Sequence, residues 1–426
     1  MKILVVSNNC FAKNNSNGRI LGCLFNSIPL EDVSQFYIVD GSNDFSVCNN
    51  YYLVNDSMAI RSLIRKDVIG ECKSKKDGEA RKLEKMSKHR AKYGRSSLTM
   101  LIRNFIWSRF KWWNADFERW LKDTKADVLV FQAGDAPFMY EIAYRISQFL
   151  NIPIVIFNTE FYYFEEDNFI NDKDPKFLFR LYKRILCRKV KKVFKYSSLT
   201  IHNSEWMKNY YDREFNTKNV VIHQSSESKP VDYHENVHSS PRVVYVGSLG
   251  FRRYEPLSEI AEAINSINEN WHLSVYGMIK DVEAQILFDK TPGLDYKGVI
   301  PYEEALRVIS ESDLLILTEN LDPEFSKSTS YGFSTKITDY LFSGIPILAY
   351  GPINNVGMNY LHEHNAAVVV NDQKDLETNL RRILTDNDYR KTIVKNALSI
   401  AINNHDAIRN SNIFKQLLQE VCPVNN

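Results

Sequence analysis

Two strand ends and one helix start gather the residue types that hold a phosphate. Gly247-Ser248-Leu249-Gly250-Phe251-Arg252-Arg253 follows the apolar run Val243-Val244-Tyr245-Val246. Glycine lets backbone N–H groups approach an anion closely, and arginine stays charged and grips phosphate oxygens in pairs. Gly332-Phe333-Ser334-Thr335-Lys336 opens a helical pattern that stops at Gly344. There Ser334 or Thr335 can cap the helix, its first N–H groups face an anion, and Lys336 adds a point charge. Asp339 lies about one turn further in, placed to accept hydrogen bonds from sugar hydroxyls, and Lys336 and Tyr340 share a face. A third turn, Asn14-Asn15-Ser16-Asn17-Gly18-Arg19, puts Gly18 after the first strand, where its backbone suits the same task. The pattern predicts a diphosphate held by Arg252, Arg253 and Lys336, with Gly18, Gly247, Ser248, Ser334 and Thr335 lining it.

Other motifs match only as text. His234-Glu235-Asn236-Val237-His238 spells the His-Glu-x-x-His zinc signature, which needs both histidines on a rigid, buried helix. This copy lies in a polar stretch without apolar flanks. Asp172-Lys173-Asp174 spells a metal-holding acidic pair, but neighbouring cations already balance it. No metal is expected. No nucleophile elbow and no Walker loop is present.

Short apolar strands alternate with helical patterns throughout. Strands are read at 2–7, 35–40, 126–133, 154–157, 199–202 and 220–222, and then at 243–246, 272–276, 296–298, 313–317, 346–350 and 366–370. Strands separated by helices imply βαβ units and mostly parallel sheets: an α/β fold. Residues 224–241 are polar, flanked by proline and without apolar period. The expected domains are therefore 1–224 and 242–400, joined by a linker at 225–241, with a helix from 401–426 returning to the first domain. Two such domains leave a ligand-binding cleft between them.

The 426 residues carry a formal charge of +2, with 44% apolar and 25% charged residues, which excludes a disordered chain. Six cysteines without a Cys-x-x-Cys pair read as reduced thiols in a cytoplasmic protein. No signal peptide and no run of about 18 apolar residues is seen. The near-neutral total conceals an asymmetry: residues 1–224 hold 36 Lys+Arg against 25 Asp+Glu, and the remainder 18 against 27. Residues 61–122 hold 18 against 7, and residues 173–195 hold 10 against 1. Phe105, Ile106, Trp107, Phe110, Trp112 and Trp113 accompany the first stretch, and Phe177, Leu178, Phe179, Leu181, Tyr182, Ile185 and Leu186 the second. Either these are solvated helix faces packed on the core by their apolar side, or they meet an anionic membrane surface. No nucleic-acid module is present.

On these motifs the second half resembles the donor domain of family-4-type glycosyltransferases (glycosyl transferases group 1), which have the GT-B fold of two facing Rossmann-like domains. The likeness runs through Val244-Tyr245-Val246-Gly247-Ser248-Leu249, Val275-Tyr276-Gly277, Tyr296-Lys297-Gly298-Val299-Ile300-Pro301 and, most specifically, Ser334 to Pro346. The first half is similar more loosely, through Asp127 to Val130 and Ile152 to Val155.

The resemblance implies a nucleotide-sugar co-substrate held by the second domain, with Val299 among its contacts, and no separate cofactor. It implies metal-independent transfer with retention of configuration, and domain closure over the donor. The family's acidic pair, Glu and Glu separated by seven residues, falls on Tyr331 and Asp339, so only the second position keeps an acid. Where the family carries a histidine, this chain has Thr159, followed by Glu160, the nearest polar candidate for catalysis. The family's basic pair falls to Arg252 or Arg253 with Lys336. The implied acceptor is a saccharide or lipid-linked saccharide of bacterial surface-polysaccharide assembly, met by the basic first half at the inner face of the membrane. Two alternatives stay open: a nucleotide-sugar epimerase of similar architecture, and a catalytically silent nucleotide-sugar-binding protein.

Overall fold

The computed structural model describes residues 1–13, 15–65, 69–73, 95–171, 173–233 and 240–422. The chain divides into two units: Met1–His223 with Ala407–Asn426, and Gln224–Asp406.

The first unit is built on an eight-stranded sheet. Its strands are β1 (Ile3–Asn9), β2 (Val33–Val39), β3 (Asn50–Leu53), β4 (Glu71–Lys73), β5 (Val128–Gln132), β6 (Ile154–Asn158), β7 (Ser197–His202) and β8 (Asn219–Val221), in spatial order β4-β3-β2-β1-β5-β6-β7-β8. All pairs are parallel except β3 with β4. Ile3 to Val6 and Val128 to Phe131 are buried on both faces, the reason such strands read as unbroken apolar runs. β3 overlaps the short buried run Tyr51 to Val54, and β4, only three residues long, carries no apolar run.

Helices α1 (Ser16–Cys23), α2 (Asp56–Arg61), α3 (Ser97–Ser108), α4 (Ala115–Asp123), α5 (Pro137–Leu150), α6 (Lys176–Tyr196) and α7 (Glu205–Glu214) belong to this unit. Of the aromatics in the first basic stretch, Trp107 and Trp112 pack on the core, as the first of the two readings has it. Trp107 stacks on Phe138 at 4.9 Å and Trp112 on Phe36 at 5.6 Å. No helix among the described residues is long and apolar enough to cross a membrane.

The second unit holds a six-stranded parallel sheet of β9 (Val243–Val246), β10 (Leu273–Tyr276), β11 (Leu294–Gly298), β12 (Leu314–Thr318), β13 (Ile347–Tyr350) and β14 (Val368–Val370), in order β11-β10-β9-β12-β13-β14. Its helices are α8 (Tyr254–Ile267), α9 (Val282–Lys290), α10 (Tyr302–Ser310), α11 (Pro323–Ser326), α12 (Thr335–Phe342), α13 (Val356–Glu363), α14 (Leu376–Thr385) and α15 (Asn387–Ile400). The last helix, α16 (Ala407–Val421), returns to the first unit. Phe414 and Leu418 enter its core, and Ser411 Oγ accepts from Ser27 N and donates to Leu24 O, both at 2.8 Å.

The polar stretch expected as a linker behaves differently. Its described residues belong to the second unit. Ser226 N donates to His405 O, Val231 N donates to Phe342 O, and Tyr233 bonds Asn387. Gly344 is left-handed (φ 73°), and a Cβ there would lie 2.4 Å from Val231 O. The glycine that stops α12 is therefore also what lets residues 231–232 lie against it. His234-Glu235-Asn236-Val237-His238 and Asp172 fall outside the described residues.

Candidate active site

Three adjacent strands of the second unit end in glycine turns that are bonded together. Gly247 N donates to Tyr276 O at 2.8 Å and Gly277 N to Gly298 O at 2.9 Å, while Tyr296 Oη donates to Gly277 O at 2.8 Å. A Cβ on Gly277 would sit 2.2 Å from Gly247 O. One on Gly247 would sit 2.7 Å from Lys336 Nζ and 2.8 Å from its Cδ. Glycine at 247 is what lets the Lys336 side chain lie across the end of β9.

Lys336 extends from the first turn of α12. Its Nζ donates to Tyr245 Oη at 2.9 Å and stands 4.4 Å from that ring's centroid. Tyr245 Oη in turn donates to Ser248 O at 2.6 Å. Burial of the ammonium, and then the positive charge of Arg253, pull the Lys336 pKa down to about 7, with Glu319 opposing them.

Arg253 sits at the N-cap of α8 and Glu319 just past the end of β12. The pair is buried and doubly bonded, Nη2 to Oε1 at 2.8 Å and Nε to Oε2 at 3.1 Å. Burial works against the charge on Arg253, and Glu319 more than offsets it. With Lys336 protonated, two cations stand in the field of one carboxylate, and only Arg253 is bonded to it. The cluster of Lys336, Arg253 and Glu319 then carries one positive charge in excess, the condition an anionic ligand relieves. Glu319 was not legible as a site residue, because it closes an ordinary apolar strand and belongs to no spacing pattern.

Arg252 departs from the expected pair. Phe251 and Arg252 both adopt left-handed backbone (φ 57° and 52°), which turns adjacent side chains apart. Arg252 Nη2 reaches Glu255 Oε1 at 2.5 Å, and the guanidinium lies over Phe325 at 4.9 Å. Arg253 alone of the two joins Lys336.

The remaining candidates of this unit divide. Ser334 occupies the N-cap of α12 but makes no side-chain capping bond, so neither it nor Thr335 closes that helix end. Ser248 is exposed, and its Oγ accepts from Gly250 N at 3.2 Å. Val299 is exposed directly after the left-handed Gly298 (φ 78°). Asp339 is buried rather than solvated. It accepts from Ser226 Oγ at 3.0 Å and faces Tyr302 Oη at 3.3 Å. Tyr331 lies on the loop that leads into α12.

Two candidates belong to the first unit. Gly18 lies in the first turn of α1, and its N–H already donates to the Asn15 cap at 2.7 Å. A Cβ there would be 2.4 Å from Cys10 O, so packing rather than an anion requires this glycine. Glu160 follows β6, and burial pushes its pKa up to about 7. Nearby His202 is a structural residue. Burial lowers it to about 4, and its Nε2 lies 3.0 Å from Asn219 Oδ1.

Residues 252–418 match the Glycosyl transferase-like family. No curated protein matches the sequence. Among solved structures, Anabaena HepE in complex with UDP-glucose is similar over 99% of this chain and 100% of its own, at 12% identity and a TM-score of 0.59. Sucrose-phosphate synthase from Thermosynechococcus elongatus is similar over 99% of both chains, again at 12% identity and 0.59. OtsA in its apo form is similar over 99% of this chain and 100% of its own, at 12% identity and 0.60. These likenesses establish the fold, and the family match lies on the unit that carries Arg253, Glu319 and Lys336. Residues 252–418 thus match a glycosyl transferase-like domain, and the whole chain has the two-unit fold of the GT-B structures it is similar to.

Proposed function

We propose that the chain moves a sugar from a nucleoside-diphosphate sugar to a saccharide, with Lys336 and Arg253 on the donor diphosphate. The observation that carries this reading is the cluster at the ends of β9 and β12. A lysine pulled down to about 7 beside a buried arginine gains most from a ligand that brings negative charge.

The chemistry follows from where charge develops. As the bond from the anomeric carbon to the diphosphate oxygen breaks, negative charge grows on the phosphates. Fixed cations stabilise that charge without moving. Loss of one such group typically costs about 10²–10³ in rate. The acceptor hydroxyl attacks the face the diphosphate leaves, and its proton passes to a phosphate oxygen, so configuration is retained and no metal takes part. Asp339, released from Ser226, is the acid available to ribose hydroxyls.

Because HepE has been crystallised with UDP-glucose, a uridine nucleotide is the first donor to test. The acceptor in this reading is a saccharide or lipid-linked saccharide of surface-polysaccharide assembly, in keeping with the basic first half. A thermal-shift series with nucleoside diphosphates and their sugars, followed by an assay of nucleotide release, tests the proposal. Stabilisation by one nucleoside diphosphate, lost in Lys336→Ala, is expected. No stabilisation by any of them overturns it. Binding without turnover of any donor marks a silent nucleotide-sugar-binding protein, the reading that Tyr331 in place of an acid favours.

A further inference from the structure

Large apolar side chains gather on the outside of the first unit, on three helices that pack side by side. α3 lies against both α2 and α6. Leu98, Ile102 and Phe105 recur at i, i+4 and i+7 along α3 and are exposed, Phe105 at 61%. Phe177 and Leu181 begin the outer stripe of α6, Phe177 at 68%. Ile64, just beyond α2, is 84% exposed. Ser97 N–H donates to the Asp174 carboxylate, which ties the start of α3 to the start of α6 and brings Leu98 and Phe177 to the same end of the pair.

Charge surrounds this apolar patch. The stripe that begins with Phe177 and Leu181 continues through Arg184 and Arg188, and Arg180 flanks it. None of these three arginines has an acidic partner among the described residues, and neither α3 nor α6 contains an Asp or Glu. Arg109 closes the α3 stripe, its guanidinium 5.5 Å from the Phe105 ring centre. Solvent-exposed helix faces normally carry both signs of charge and few large apolar groups. Nucleic acid would be met by cations and stacked aromatics, but here aliphatic side chains form most of the patch. The one acid of these three helices, Asp56 of α2, is already held by Arg103 Nε at 2.8 Å and Trp107 Nε1 at 2.7 Å, and apolar anchors with an excess of cations beside them match a bilayer, whose headgroups are anionic and whose interior is hydrocarbon.

We propose that the outer face of α2, α3 and α6 docks on an anionic lipid bilayer, Phe105 and Phe177 entering the interface and Arg180, Arg184 and Arg188 meeting headgroup phosphates. This surface is separate from the Lys336 cluster, and its function does not depend on the donor reading.

Flotation of the full chain with phosphatidylglycerol–phosphatidylcholine vesicles, against vesicles of phosphatidylcholine alone, tests the proposal. The chain is expected to float with the anionic vesicles and to be released by high salt. Arg180→Gln/Arg184→Gln should weaken binding by about fivefold per arginine removed. Phe105→Ser/Phe177→Ser should weaken it by about tenfold or more, while the melting temperature and nucleotide-dependent stabilisation stay those of the wild type. Equal flotation of the aromatic variant and the wild type overturns the proposal. So does failure of the wild type to float at low salt, whether it binds duplex DNA instead or forms a dimer that the aromatic variant dissolves.

Discussion

Arg253 and Glu319 form a buried pair joined by two parallel hydrogen bonds of 2.8 and 3.1 Å. Breaking one side of such a pair strands a charge, whereas replacing both partners by apolar groups is often neutral. Glu319→Gln should therefore lower the stability of the second unit by about 3–5 kcal/mol in urea unfolding. Arg253→Met/Glu319→Leu should recover most of that stability and none of the activity. Recovery of both would remove Arg253 from the site.

Lys336 gives the site a defined pH dependence. Burial and Arg253 hold its pKa at about 7 in the free protein, and a bound diphosphate should raise it. The donor KM should be flat below pH 7 and rise by up to about tenfold per unit above it, until the pKa of the bound state is reached. Stability runs the other way. The unfolded lysine, at its ordinary value of 10.5, binds more protons than the folded one between about pH 7 and 10.5, so stability grows with pH through that window. Lys336→Met should abolish both slopes. Donor titrations and urea melts across pH read them separately.

Arg252 points away from Lys336 and is paired with Glu255 on the surface. Arg252→Ala should change kcat/KM by less than about threefold, as exposed ion pairs contribute little. Arg253→Ala should cost about 10²-fold or more. A reversal of that order in the same assay would show that Arg252 is the diphosphate ligand.

Gly247 leaves room for the Lys336 side chain. Gly247→Ala should displace the Lys336 amine, and because the backbone there (φ 158°) is one that L side chains rarely adopt, donor affinity and melting temperature should fall together. Calorimetry with a nucleoside diphosphate checks this. Unchanged affinity would mean that the lysine has another position of equal use.

Glu160 has the opposite linkage. Burial raises its pKa from 4.5 to about 7, so folding loses stability as pH climbs between those values. Glu160→Gln should melt higher than the wild type above pH 7 and match it near pH 4. If the carboxylate takes part in transfer, the variant loses a kcat ionisation near 7 and keeps the wild-type donor KM. This separates it from Lys336, whose ionisation acts on donor binding.

Much of this protein was determined by local sequence. Unbroken apolar runs such as Ile3 to Val6 and Leu314 to Leu317 can satisfy their backbone and bury both faces only as inner strands of a parallel sheet, so the α/β class and most strands follow from them. The spacing from Ser334 to Gly344 likewise fixed a helix with Lys336 in its first turn. Tertiary structure alone decided which charges meet. Arg252 and Arg253 are equivalent as text, and two left-handed residues send them apart. Glu319 enters the site because parallel pairing carries the end of β12 to the side of β9, a long-range event without a local signature. Ser226, read as linker, reaches Asp339 for the same reason, because hydrogen bonds across 113 residues depend on the packed fold and not on neighbours in the chain.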